Sequence, residues 1–190
     1  MTTTAMASTR DRLLDAAAEL FYLQGVNIGV EALCKAAGVS KRSMYQLFDG
    51  KDAVLAACLE RRAPAYATAL FPAADDSRPP RDRILHVFER LEAEALAADF
   101  RGCPFLAAQV ELKDPEHPAS KVAREVKRTL TEFFRLEAQH GGAHDPVLLA
   151  RQLTLLFDGA SARAGVGAEQ LDGLTLITAQ ALMDASGMTK

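Results

Sequence analysis

Apolar residues between positions 30 and 48 recur at the three- and four-residue intervals of two short helices. The first helical face consists of Val30, Leu33, Cys34 and Ala37. Gly38 can end that helix in the left-handed conformation, and Ser40 can cap the next helix. The second face consists of Met44, Leu47 and Phe48. Two short helices joined by a tight turn are typical of a helix-turn-helix, so this stretch predicts a DNA-binding motif.

Helical periodicity also dominates the rest of the chain, and no strand pattern accompanies it. The sequence predicts helices from the Ser8 cap to Gly25 and over 51–70, 84–95, 105–113, 122–133, 146–164 and 168–183. Residues 1–7 lack this periodicity and are expected to form a disordered arm. The predicted fold is therefore all-α with about nine helices.

The predicted organisation has two parts, a helix-turn-helix domain at 1–50 and a larger helical domain at 51–190. A loop rich in proline and acidic residues at 71–80 interrupts the second part without ending it. The longest apolar stretch, 146–165, contains Arg151, Asp158 and Arg163, which makes a membrane span unfavourable. The chain is therefore expected to have no membrane partner.

Composition narrows the candidate chemistry. Three cysteines far apart and the absence of a secretory leader favour a reducing cytoplasm over a disulfide framework. We find no phosphate-binding loop, no nucleophile elbow and no zinc spacing, so no cofactor, no metal and no catalytic residue is predicted. The net charge of −3 is weakly unfavourable for DNA binding. Any phosphate contacts must therefore come from a local basic patch.

Polar residues on the second helix of the motif have the chemistry of base recognition. Arg42 can donate two hydrogen bonds to guanine, and Gln46 can pair with adenine. Ser43 can bond to several bases, and Lys41 can reach either guanine or a phosphate. Each of these residues taken alone is more often a solvated surface position, so the prediction depends on their joint order.

That order, from Ala36 to Phe48 and followed by Lys51, resembles the TetR family of transcriptional regulators. The resemblance implies a three-helix DNA-binding unit, with bases contacted from positions 41, 42, 43 and 46. It also implies that Tyr45 and Lys51 hold phosphates, and Gly29 can contribute its backbone N–H. Glu31 departs from the pattern, because some members of the family have a basic residue there. A carboxylate at that position would accept a hydrogen bond from cytosine or repel the DNA backbone.

The last two predicted helices have more apolar surface than one buried stripe requires, which indicates a second partner. The alternative is that the helix at 146–164 is central in its own domain. The resemblance implies a homodimer through these helices, which would present two reading helices to a palindromic operator. The predicted interface residues are Leu149, Leu153, Leu156, Gly159, Ala160, Leu174 and Ile177.

The resemblance further implies that the C-terminal domain holds a small-molecule effector whose binding releases the DNA, usually in a repressor. The predicted pocket residues are Phe88, Leu91, Phe105, Leu106, Gln109, Leu130, Phe134 and Leu156. An apolar stripe of this kind is more often ordinary core. Cys103 is a candidate thiol sensor, although a small buried residue is the more frequent case. The alternative function is a helical carrier or enzyme that does not bind DNA.

Overall fold

The structure is a computed structural model that describes residues 8–188, a range with nine α-helices and no strand. The helices are α1 (Thr9–Gln24), α2 (Val30–Ala37), α3 (Lys41–Leu47), α4 (Lys51–Leu70), α5 (Pro80–Ala95), α6 (Pro104–Leu112), α7 (Pro118–His140), α8 (Pro146–Gly165) and α9 (Leu174–Ala185). The predicted all-α class is confirmed. The arm predicted at residues 1–7 lies outside the described residues.

The chain forms two compact units whose boundary falls within helices. The N-terminal unit comprises the residues up to Arg62 together with Ala107–Ala123. The C-terminal unit comprises Ala63–Leu106 and the residues from Arg124 onward. Helices α4, α6 and α7 thus contribute residues to both units. The predicted division between Gly50 and Lys51 followed the end of the motif, whereas the compact units divide inside α4.

The N-terminal unit is built on α1, which packs against α2 and α3. Ser8 caps α1 by accepting a hydrogen bond from the Asp11 N–H at 3.0 Å, as the sequence predicts. The buried face of α1 includes Leu13, Leu14 and Phe21. After α1 ends, the Val26 N–H donates to Glu111 Oε2 of α6 at 2.8 Å. This bond ties the end of α6 to residues of the N-terminal unit that are far from it in sequence.

Aromatic packing organises the C-terminal unit, in which α5, α8 and α9 contact one another. The Phe88 and Phe134 rings are stacked with centroids 5.7 Å apart, and Phe157 packs on Phe88 at 6.4 Å. All three side chains are buried. Burying one phenylalanine side chain stabilises a fold by about 1.5–3 kcal/mol, so this cluster is a principal source of stability for the unit.

Helix α9 begins at Leu174, six residues later than the sequence predicts. The backbone at Asp172 and Gly173 has positive φ angles of 40° and 83°, which no α-helix accommodates. Glu92 of α5 then supplies the missing cap, accepting hydrogen bonds from the N–H groups of Gly173 at 2.8 Å and Thr175 at 3.0 Å. The periodicity misplaced this start because Leu171 is buried without being helical.

Candidate nucleic-acid interface

The turn between α2 and α3 has the geometry that its sequence predicts. Gly38 adopts the left-handed conformation, with φ 62° and ψ 38°, and the Val39 N–H donates to the Cys34 carbonyl at 3.0 Å. Ser40 Oγ accepts a hydrogen bond from the Ser43 N–H at 3.0 Å and so caps α3. The predicted stop and the predicted cap are both confirmed, which fixes the direction of α3 relative to α2.

The buried side of α3 differs from the prediction at one residue. Met44 is fully buried and its sulfur lies 3.9 Å from the Cys34 sulfur on α2. Phe48 is also buried, but Leu47 is 42% exposed, so its predicted place on the packed face is wrong. Helix α3 ends at Leu47, and the extended backbone of Phe48 (φ −145°, ψ 142°) brings that ring inward instead.

The opposite side of α3 exposes most of the predicted base-contacting residues. The side chains of Arg42 and Gln46 are exposed and make no hydrogen bond or ion pair with another residue between 8 and 188. Ser43 is half-buried, and its hydroxyl lies 2.8 Å from Ser40 Oγ. The cap itself uses the Ser43 backbone N–H, so the Ser43 hydroxyl keeps further hydrogen-bonding capacity beside its contact with Ser40. The side chains ready for hydrogen bonding are those of Arg42 and Gln46.

Lys41 forms an ion pair that the sequence analysis missed. Its Nζ donates to Glu31 Oε1 of α2 at 2.5 Å, although both side chains are largely exposed. The hydrogen bond from Lys41 lowers the pKa of Glu31, and the same bond raises the pKa of Lys41. Both groups are therefore held in their charged forms. Glu31 and Lys41 are each the kind of charged residue that occupies a solvated helix surface, so no local pattern in the sequence pairs them.

Two of the three predicted phosphate-contacting residues, Gly29 and Lys51, lie at the starts of helices. Gly29 is the N-cap of α2 and has no side chain to bond the free N–H groups of that helix. Tyr45 is exposed on α3. Lys51, the first residue of α4, donates from Nζ to the Val26 carbonyl at 2.9 Å. Lys51 thus holds the turn between α1 and α2, a structural role that the sequence analysis did not assign.

Charge is balanced across the N-terminal unit, which contains as many basic as acidic side chains. Several of its cations are engaged. Arg61 pairs with Asp15 at 2.5 Å, Arg62 lies over the Tyr22 ring, and Arg10 lies over the Phe48 ring. The acidic excess of the chain is in the C-terminal unit. A DNA-binding surface in the N-terminal unit must therefore depend on local cations such as Arg42.

Large apolar side chains are exposed on both α8 and α9. Leu149 and Leu153, two of the predicted interface residues, are only 1% and 0% exposed and belong to the core of the C-terminal unit. Leu156 and Ala160 are partly buried against that core, whereas Gly159 is exposed. The exposed apolar side chains of these two helices include Leu148, Leu155, Leu174 and Ile177. We call these four residues the α8–α9 stripe.

The predicted pocket residues are mostly core. Phe88, Leu91, Leu130 and Phe134 are buried in one cluster of the C-terminal unit. Phe105 and Leu106 also belong to that unit, as does Leu156, whereas Gln109 falls in the N-terminal unit. A groove of about 600 Å³ in the C-terminal unit contains none of the eight. Its lining residues are Phe71, Pro72, Arg83, Glu125, Arg128, Thr129, Glu132, Phe133 and Leu136.

All three cysteines are buried free thiols. Cys103 accepts a hydrogen bond from the Tyr66 hydroxyl at 3.5 Å, and burial raises the pKa of that phenol. Burial likewise raises the pKa of the Cys58 thiol to about 11. Between residues 8 and 188, no three side chains of the His, Cys, Asp and Glu types form a metal-binding group. Over the same range, none of the helices has the length and apolar character needed to cross a membrane.

Comparison with known proteins shows that the sequence and fold of this chain are similar to those of bacterial transcriptional regulators. Residues 13–58 match the model of the family described as bacterial regulatory proteins, tetR family. The chain is 62% identical to a TetR-type transcriptional regulator from Streptomyces avermitilis of known structure, covering 96% of this chain and 100% of that one, with a TM-score of 0.94. SCO4454, a TetR-family transcriptional regulator from Streptomyces coelicolor, is 26% identical over 94% and 95% of the two chains, with a TM-score of 0.83. The HTH-type transcriptional regulator YjdC of Escherichia coli is 23% identical over 86% of each chain.

Proposed function

Because the chain belongs to the TetR family of DNA-binding transcriptional regulators, we propose that it is a homodimeric repressor, released from a palindromic operator by a small molecule. The observation that carries the proposal is the exposed side of α3, where the side chains of Arg42 and Gln46 have no hydrogen-bond or ion-pair partner among residues 8–188. A guanidinium and an amide on a capped helix have the donors and acceptors that read guanine and adenine. A regulator of this kind acts in the cytoplasm, without catalysis.

The α8–α9 stripe supports the homodimer. Leu148 and Leu155 are seven residues apart on α8, so they lie on one face of the helix, and both are exposed. Leu174 and Ile177 are exposed on α9, which packs against α8 within the same unit. A second copy is a partner that fits exposed apolar residues on two neighbouring helices, because a two-fold axis pairs the same helices from both subunits.

Dimerisation has a consequence for DNA reading. A two-fold dimer presents two copies of α3, which would contact half-sites separated by about 34 Å, one helical turn, or a multiple of it. The operator is therefore expected to be palindromic. An effector that binds one conformation of the C-terminal unit more tightly would shift the population away from the spacing that fits the operator.

The test is selection of binders from a random duplex library by the purified protein. Enrichment of a palindrome is expected. The Arg42→Ala variant should show a weaker base preference at one position in each half-site. A good bidentate base contact is worth about 1–3 kcal/mol of discrimination. Lys35→Ala removes an exposed cation from α2 and is the matched control, so its selected sequence should be unchanged. Failure of the intact protein to enrich any sequence would favour a helical carrier or enzyme over a regulator.

Repression and release need separate measurements. Placing the selected operator within a promoter should lower reporter expression when the protein is present, and increased expression would contradict repression. A compound screen can then follow the melting temperature and the operator affinity together. An effector should raise the melting temperature and lower the operator affinity. Compounds that raise the melting temperature without changing operator affinity would instead indicate a carrier.

A further inference from the structure

Glu31 and Lys41 form a donor and acceptor pair beside the exposed side of α3. Glu31 lies in the first turn of α2, and Lys41 is the first residue of α3. Their contact is an ammonium N–H to carboxylate hydrogen bond of 2.5 Å between Nζ and Oε1. No other ion pair or hydrogen bond of either side chain occurs within residues 8–188. The remaining N–H groups of Lys41 and the second oxygen of Glu31 are therefore available to another molecule.

The edge of a G·C base pair in the major groove is chemically complementary to this pair. Guanine presents the acceptors N7 and O6, and cytosine presents its N4 amino group beside them. The O6 and N4 atoms are hydrogen-bonded to each other, which puts them about 2.9 Å apart. That spacing is close to the separation of Nζ and Oε1. One base pair can thus engage the ammonium and the carboxylate together.

We propose that Glu31 and Lys41 read one G·C base pair in each half-site as a unit, with Lys41 donating to guanine and Glu31 accepting from cytosine N4. This inference rests on the proposed DNA-binding function. It assigns Glu31 a reading role and, of the guanine and the phosphate that Lys41 could reach, selects guanine. The specificity of Lys41 then depends on a residue ten positions earlier in the chain.

Two alternatives fit the pair less well. A phosphate would meet the Lys41 ammonium together with the Glu31 carboxylate, and the two anions would repel each other. An A·T pair also presents a donor beside an acceptor, but thymine offers a single acceptor next to its methyl group. Guanine instead offers two acceptors to the three N–H groups of the lysine. The chemistry therefore favours G·C.

The experiment is library selection with the full-length protein, Glu31→Ala, Lys41→Met and the double variant. The wild type should enrich a G·C pair at one position of each half-site. In each single variant, the preference for G·C over other base pairs at that position should fall by roughly 5- to 150-fold, the range expected for a good base contact. The preferences at the other positions of the site should not change. The double variant should lose no more than the more affected single variant, because both remove the same contact.

Lys35→Met is the matched control, since it removes an exposed cation from α2 that has no ion pair within residues 8–188, and it should leave the selected sequence unchanged. Circular dichroism would verify that each variant is folded. If both single variants weaken all sequences equally, or alter different positions, or if the common position is A·T, the paired reading is overturned. If the folded wild type enriches no sequence, the proposed regulator function itself fails.

Discussion

The predicted dimer can be tested most directly at Leu155, whose side chain is 73% exposed on α8. Leu155→Ala removes three carbons, worth about 0.8 kcal/mol each when fully buried. Scaling by the exposed fraction gives about 1.8 kcal/mol per subunit for the area that a partner would cover. A two-fold interface contains the residue twice, so dimerisation should weaken by about 3.5 kcal/mol, or roughly 300-fold in Kd.

The assay is sedimentation velocity over a dilution series of each variant. Leu96→Ala is the control, because Leu96 is 85% exposed directly after α5 and lies outside the α8–α9 stripe. The Leu96→Ala dimer should dissociate over the same range of protein concentration as the wild-type dimer. A wild-type protein that is monomeric at micromolar concentration would refute the reasoning. So would a Leu155→Ala protein that associates as tightly as the wild type.

A second variant separates the stripe from the core beneath it. Leu153 is two residues from Leu155 but is fully buried in the C-terminal unit. Leu153→Ala should therefore lower the free energy of unfolding of each subunit by about 2–5 kcal/mol through the cavity it leaves. Urea unfolding measures that loss. The contrast between these neighbours distinguishes an interface residue from a core residue on the same helix.

Three further predictions concern the N-terminal unit. Gly29→Ser should raise the free energy of unfolding by a few tenths of a kcal/mol in urea titrations, because it gives α2 a side-chain cap and a Cβ at Gly29 meets no atom within 4 Å. Lys51→Met should lower it by about 1–3 kcal/mol, because the bond to the Val26 carbonyl is lost, and unchanged stability would contradict that role. Burial raises the Cys58 pKa from 9.0 to about 11, so the stabilisation this thiol provides is complete below pH 9 and is lost as the pH rises towards 11. The melting temperatures of the wild type and of Cys58→Ala should therefore become more similar as the pH rises across that range.

Local sequence signals were sufficient to predict the helix-turn-helix. They were insufficient to predict contacts between residues of different helices. Gly38 and Ser40 act on backbone groups within five residues, so their roles could be predicted directly from the sequence. The ion pair of Glu31 with Lys41 joins two helices, and each charge taken alone indicates only a solvated surface. The start of α9 depends on Glu92, more than 80 residues earlier, and no local pattern specifies that cap.

The same limit applies to the two apolar faces of α8. The sequence shows that leucines surround the helix but does not show which of them face the core, because both stripes have helical spacing. Packing against α5 and α9 resolves the choice, burying Leu149 and Leu153 and leaving Leu148 and Leu155 exposed. The prediction that α8 has a second apolar face, apart from the one in the core, therefore agrees with the exposed residues of the α8–α9 stripe. The residues assigned to the interface were in part those of the first face.

In the proposed dimer, charge balance in the N-terminal unit gives the α8–α9 stripe a part in DNA binding. Lys41 is paired with Glu31, Arg61 with Asp15, and acidic and basic side chains are equal in number across the unit. A single unit then gains little from phosphate neutralisation, which supplies most non-specific affinity. Linking two such units makes the second contact intramolecular and can raise the overall affinity by 10²–10⁴ without any new contact. If the proposed dimer forms through the α8–α9 stripe, operator affinity is therefore expected to fall in Leu155→Ala, although Leu155 need contact no base.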